Sequence, residues 1–144
     1  MPVTHPEALR EILTDTRTIA LLGASEKPER ASNGVMAFLQ SRGYRVIPVN
    51  PRLAGTRLFE ETVYRDIASI PDDITIDMVD VFLDPGRTDP IIDAAIERGA
   101  KVIWLQLGVI NEDGAERAEA AGLTVVMDRC PKIEIPRLGI PVVK

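Results

Sequence analysis

The amino-acid sequence predicts an α/β fold: a mainly parallel five-stranded sheet with helices on both faces. Three observations carry the expectation. Five short runs are almost wholly apolar, as strands covered on both faces are. Between most of them lie segments whose apolar residues recur at helical spacing. Glycine or proline punctuates most of the junctions. Strands alternating with helices are best satisfied by parallel pairing through right-handed crossovers.

The elements follow in order. Thr4 and Glu7 have capping-box spacing, and Leu9, Ile12 and Leu13 share one face of the helix after them. Residues 18–22 form strand one, which Gly23 ends. A polar loop over 24–32 leads to a helix with Val35, Met36 and Leu39 on its buried side, terminated by Gly43. Residues 44–49 form strand two, although Pro48 argues against a central place because proline donates no ladder bond. Residues 56–59 read as a short extended piece, and 62–70 as a short helix stopped by Pro71. Residues 78–83 form strand three, stopped by Asp84, Pro85 and Gly86. The helix over 89–98 turns Ile91, Ile92, Ala95 and Ile96 inward. Strand four covers 101–105, a helix covers 111–121 with Gly122 after it, and strand five covers 124–127. Pro131, Pro136 and Pro141 mark residues 128–144 as a covering arm.

These elements describe a Rossmann-like three-layer, doubly wound sandwich. The expected strand order is 3-2-1-4-5, with the loops after strands one and four beside the central crevice. No linker, fixed-period repeat or low-complexity tract divides the 144 residues, so 1–144 is read as a single domain.

Composition narrows the function. With 45% hydrophobic residues, the chain buries a core without staples. A net charge of −5 gives nucleic acid little overall attraction. Cys130 is the only cysteine and His5 the only histidine, so neither a disulfide nor a zinc site is expected. His5 belongs to the cap region of the first helix. Asp77, Asp80, Asp84 and Asp89 cross a strand and a turn without a metal-ligand pattern. No apolar run reaches membrane-spanning length, and the first residues lack signal-peptide features, so the expected location is cytoplasmic.

The first turn carries the chemistry. Gly23 follows an apolar strand, and a helix opens about ten residues later. Glycine permits a tight turn and close ligand approach, and the unpaired amides of a helix start attract an anion. Ser25 offers a hydroxyl. Lys27 and Arg30 add positive charge, and Ser32, Asn33 and Gly34 lie near the helix start. The alternative is a surface turn that merely ends the strand. No phosphate-loop lysine pattern is present, so an ATPase or kinase is not expected. After strand two, an NAD-binding domain commonly places an acidic residue on the ribose. Here stand Asn50 and Arg52. A guanidinium suits a ribose phosphate, as in coenzyme A or NADP, and is otherwise an ordinary loop arginine.

The sequence resembles the small stand-alone coenzyme A-binding proteins related to the N-terminal domain of the succinyl-CoA synthetase alpha chain. Four stretches carry the likeness: Gly23-Ala24-Ser25, Val46-Ile47-Pro48-Val49-Asn50-Pro51, Val102 through Gly108, and Val126 through Lys132. The resemblance implies that Gly23, Ala24, Ser25 and the stretch from Arg30 to Gly34 meet the cofactor phosphates. It implies that Val49, Asn50, Pro51 and Arg52 meet the adenosine end. Phe82, Leu83, Asp84 and Pro85 would wall the cofactor, and Gln106 and Gly108 hold the family position after strand four.

The synthetases use a phosphohistidine from a further domain. The sequence stops before such a domain would begin, and nothing matches His5 to that histidine. The expectation is therefore a noncatalytic domain that binds coenzyme A or an acyl-CoA, regulatory or dependent on an unidentified protein partner. The competing expectation is an NAD(P)-dependent oxidoreductase or a subunit of one. Cys130 has two readings, a small buried residue or a thiol that forms a mixed disulfide with the cofactor. Asp128 and Arg129 would brace the arm by an ion pair, and Trp104 packs in the core.

Overall fold

A computed structural model describes residues 1–144. In chain order the elements are α1 (Pro6–Asp15), β1 (Thr18–Leu22), α2 (Ala31–Ser41), β2 (Arg45–Val49), β3 (Arg57–Leu58), β4 (Glu61–Thr62), β5 (Met78–Val81), α3 (Asp89–Arg98), β6 (Val102–Leu105), α4 (Glu112–Ala120), β7 (Thr124–Val126) and α5 (Pro131–Leu138). Five strands form one sheet in the order β2-β1-β5-β6-β7, with every pairing parallel. β3 and β4 form a separate antiparallel ribbon.

Each strand serves both faces by alternation. On one face Ile19, Leu21 and Trp104 pack with Leu9 and Leu13 of α1, Met36 and Leu39 of α2, and Ile135 of α5. On the other, Ala20, Val79, Ile103 and Val125 meet Ile92 and Ala95 of α3 and Ala115 and Ala118 of α4. The result is the Rossmann-like three-layer sandwich that the alternation predicts.

The strand order differs from expectation. Counting only the five sheet strands, it is 2-1-3-4-5, not 3-2-1-4-5. The outer edge of β2 is taken by its own following chain. Tyr64 bridges to Val49, its amide donates to the Pro48 carbonyl at 3.0 Å, and its carbonyl accepts from the Asn50 amide at 2.9 Å. Pro48 also offers no amide to a further ladder. The third strand therefore pairs with the free edge of β1. This moves the topological switch point to the gap between β1 and β5. The loops beside the crevice follow strands one and three rather than one and four.

Three local expectations are also corrected. The first helix is capped by His5, whose Nδ1 accepts from the Glu7 amide at 3.3 Å, and Pro6 fills its first position. Residues 62–70 hold β4, the edge pairing of Tyr64 and a 3₁₀ turn, Ile67–Ser69, in place of a helix. The turn is capped by Asp66, whose carboxylate accepts from the Ser69 amide at 2.8 Å and its hydroxyl at 2.6 Å. Residues 128–144 carry α5, with Pro131 at a first position that needs no amide. Its brace is the Asp128 carboxylate accepting from the Gly108 amide at 2.7 Å; no Asp128–Arg129 ion pair forms. Trp104 is fully buried and donates its indole N–H to the Arg129 carbonyl at 2.8 Å.

Candidate functional site

The carboxyl ends of β1, β2 and β5 enclose a cavity of about 740 Å³. A smaller hollow of about 410 Å³ lies against α1, near Asp77 and Lys101 at the opposite ends of the strands. Ligands of open α/β sheets bind outside the carboxyl ends, at the switch point, which selects the larger space.

Its floor is the turn after β1. Gly23 has φ +86°, and a Cβ there would overlap the Phe82 carbonyl oxygen. The glycine thus lets the turn cross the end of β5. Its amide and that of Ala24 donate to the Val49 carbonyl at 3.1 and 3.3 Å, which binds the turn to β2. The Ser25 hydroxyl accepts from the Lys27 amide at 3.1 Å and keeps its own proton for another acceptor. The Ser25 carbonyl accepts from the Asn33 side-chain amide at 2.9 Å. At the start of α2, Arg30 is the N-cap and gives no side-chain cap. The Ala31 and Ser32 amides have no protein acceptor. The positive end of a helix therefore faces the cavity with free donors.

The second wall follows β2. Asn50 bridges the two loops: its amide nitrogen donates to the Ala24 carbonyl at 2.7 Å, and its oxygen accepts from the Arg52 amide at 2.9 Å. Val49, Asn50, Pro51 and Arg52 all line the cavity. The third wall is Phe82 and Leu83 after β5, with Ile91 of α3.

The cavity thus gathers Gly23, Ala24, Ser25, Lys27, Arg30 and Ser32 with Val49–Arg52, Phe82 and Leu83. Six named positions lie outside its lining. Asn33 supports Ser25 from behind, and Gly34 faces Lys132, whose ammonium lies 3.7 Å from where a Cβ would stand. Asp84 and Pro85 start a short turn and accept the Arg87 and Thr88 amides at 2.8 and 3.3 Å. Gln106 is buried beyond β6, and Gly108 is tied to Asp128. Cys130 is buried at the N-cap of α5, among the core residues under α2 and α5.

Sequence reasoning missed Arg65, Asp66 and Arg87, which line the cavity. Arg87 follows the turn after β5 closely enough for its position to have marked it. Arg65 and Asp66 were hidden inside the expected helix over 62–70. With them, the walls carry five cations, Lys27, Arg30, Arg52, Arg65 and Arg87, against one carboxylate, Asp66. Among these cations only Arg65 has an ion-pair partner, Asp66 at 3.5 Å. Donors from Ser69, and then Arg65, hold the Asp66 pKa below the ordinary 3.8, so the carboxylate is charged. Glu26 and Glu29 in the same loop do not line the space. A concentrated positive region thus sits in a chain of net charge −5.

No group of three or more histidine, cysteine, aspartate or glutamate residues is placed to hold a metal ion. The aspartates named in the sequence do not converge on one point. Asp77 accepts from the Arg17 and Thr18 amides at 3.0 Å, and Asp89 accepts from Asn111 at 2.8 Å and Arg117 at 3.1 Å. Asp80 is fully buried with both oxygens unpartnered. No helix is long and apolar enough to cross a membrane.

Comparisons with known proteins bear on the family and the fold. The sequence model of the family described as the CoA binding domain matches residues 17–136. The Bacillus subtilis (strain 168) protein YneT is 33% identical over 126 residues, which covers 87% of this chain and 90% of that one. The solved structure of a hypothetical protein from Pyrococcus horikoshii OT3 matches with a TM-score of 0.88 at 40% identity, over 96% of each chain. The dinucleotide forming acetyl-coenzyme A synthetase 1 from Ca. Korarchaeum cryptofilum shares the fold, with a TM-score of 0.66 and 22% identity. That match covers 80% of this chain and 26% of the other. A family model spanning most of the sequence, together with relatives matched almost end to end, places the chain in the CoA-binding domain family.

Proposed function

We propose that this chain binds coenzyme A or an acyl-CoA in the cavity at the ends of β1, β2 and β5, and that it does so as a noncatalytic module. The observation that carries the reading is the charge of the walls, five cations against one carboxylate around an uncapped helix start. The pyrophosphate sits against the Ala31 and Ser32 amides and the Ser25 hydroxyl, with Lys27 and Arg30 beside it. The ribose phosphate meets Arg52. Phe82, Leu83 and Ile91 offer an apolar path to the pantetheine arm.

Of the two nicotinamide cofactors in the competing reading, NADP carries a ribose phosphate that Arg52 would also match, whereas NAD fits less well. NAD carries a pyrophosphate and no ribose phosphate, so it leaves the Arg52 end unmatched. The position that commonly carries a ribose-binding acid holds Asn50, whose side chain already joins Ala24 to Arg52. The likeness to the N-terminal domain of the succinyl-CoA synthetase alpha chain supports the same direction of the cofactor. A regulatory role through a partner protein is the wider function that a binding module without catalytic groups suggests.

Calorimetric titration with coenzyme A, acetyl-CoA, NAD, NADP and ATP tests the reading. Coenzyme A or its acyl form should bind most tightly; tighter binding of NAD or NADP overturns the assignment. Arg52→Ala should lose about 1–2 kcal/mol of affinity for coenzyme A, the range of an exposed charge-assisted contact. That is roughly tenfold, and the loss should shrink with added salt. Dephospho-coenzyme A should feel little of it. Equal weakening of both ligands would take the ribose phosphate away from Arg52 and leave it to another cation of the cavity wall.

A further inference from the structure

We propose that Arg65, held in place by Asp66, is a second reader of the ribose phosphate and sets the preference for phosphorylated over dephosphorylated cofactor. The inference rests on the coenzyme A reading of the cavity and names a residue that the cofactor-binding motifs do not contain.

The argument begins with the backbone. Tyr64 pairs with the outer edge of β2, level with Val49 and Asn50. Arg65 therefore leaves the chain directly beside the turn that carries Pro51 and Arg52. Both arginines line the same cavity. In sheets of this type the loop after strand two meets the ribose of a bound dinucleotide. Here two chain segments, not one, reach that end of the space, and each presents a guanidinium.

The arginines differ in how they are held. Arg52 has no side-chain hydrogen bond or ion pair. Arg65 has one contact, from its Nε to Oδ2 of Asp66 at 3.5 Å. Asp66 is itself fixed, because its Oδ1 accepts from the amide and hydroxyl of Ser69. The carboxylate thus engages the inner nitrogen of the guanidinium and leaves the two terminal nitrogens without a protein acceptor. A guanidinium presents parallel N–H groups that match two oxygens of a phosphate. Ordering a long exposed side chain costs conformational entropy, and a partner at Nε reduces that cost before the ligand arrives. Asp66 is a positioning residue in this scheme.

A surface ion pair with no further role is the plain alternative, since Arg65 is 70% exposed and such pairs contribute little. The two readings predict different binding data. The parent protein, Arg65→Ala and Arg65→Lys are titrated with coenzyme A and with dephospho-coenzyme A, and each variant is checked for an unchanged thermal unfolding midpoint. The exposure of the side chain predicts that both variants fold. Arg65→Ala should bind coenzyme A roughly tenfold more weakly and dephospho-coenzyme A as the parent does. Arg65→Lys, which keeps the charge and loses the fork, should fall between them. Unchanged coenzyme A affinity in Arg65→Ala overturns the inference and leaves the coenzyme A reading intact. Equal weakening of both ligands also overturns it, because Arg65 then acts on some other group. Failure of the parent itself to bind coenzyme A removes the functional reading, and this inference falls with it.

Discussion

Replacing Asp80 by asparagine should make the protein's stability less sensitive to pH, by an amount that its surroundings fix. Asp80 is fully buried in β5, with Leu21 and Trp104 as its register neighbours. Neither carboxyl oxygen has a hydrogen-bond partner. Burial pushes its pKa well above the ordinary 3.8. In the unfolded chain the same group loses its proton near the ordinary value. Between these two pKa values the native state holds one proton more than the unfolded state. Stability therefore falls as pH rises through this window, by about 1.4 kcal/mol per pH unit. Below the unfolded pKa both states are protonated and the penalty is absent. Asp80→Asn keeps the size of the side chain and removes the proton. Its own unpartnered amide adds an offset that does not vary with pH, so the slope is the diagnostic. Urea unfolding of parent and variant at about pH 5, 5.5 and 6 gives the difference in unfolding free energy. The variant should gain on the parent as pH rises, by at most about 1.4 kcal/mol per unit for as long as the native carboxyl keeps its proton. Groups distant from the site contribute equally to both proteins and cancel. A difference that stays flat with pH would refute a protonated carboxyl in the core.

Two further outcomes follow from the site. Gly23→Ala should destabilise the fold itself, by about 1–3 kcal/mol from the left-handed backbone alone and further from the overlap with the Phe82 carbonyl oxygen; a denaturant midpoint equal to the parent's would contradict that packing. Any larger residue at Gly23 meets the same obstacle, so substitutions there are poor probes of phosphate approach. Cys130→Ala should leave coenzyme A affinity within about twofold in calorimetry, because Cys130 lies outside the cavity lining; a tenfold loss, about 1.4 kcal/mol, would bring the thiol into the site.

The elements were legible where burial leaves a mark on composition. Strands such as Ile19-Ala20-Leu21-Leu22 and Val102-Ile103-Trp104-Leu105 are apolar at every position because both faces are covered. The order of strands was not legible in the same way. A right-handed crossover fixes the hand of a connection but not which free edge receives the next strand. The long connection between β2 and β5 reaches either edge. Pro48 held a clue, since a proline suits an edge strand, and β2 is one. The helix in the tail was obscured by reading Pro131 and Pro136 only as breakers. Pro131 takes the position where a helix tolerates proline, and Pro136 sits near the end, followed within the helix only by Arg137 and Leu138. In the candidate site, Gly23, Ser25 and Arg52 stood out because they flank strand ends. Arg65 reaches the same space through a single bridge between Tyr64 and Val49, a tertiary contact with no local periodicity to announce it.

The position of β1 between β2 and β5 bears on how the chain behaves when its cofactor is scarce. The cavity walls come from four spans distant in sequence, residues 22–32, 49–52, 65–66 and 82–91, and β1 is the strand between β2 and β5 that joins them. Peeling either neighbour from β1 dismantles the space, so a ligand held there opposes any opening that separates those strands. Ligand at a hundred times its dissociation constant adds about 2.7 kcal/mol to the stability of the state that binds it. Proteases act on opened chains, so the lifetime of this protein should lengthen when coenzyme A is plentiful and shorten when it is not. Its abundance would then record the supply of the molecule it holds.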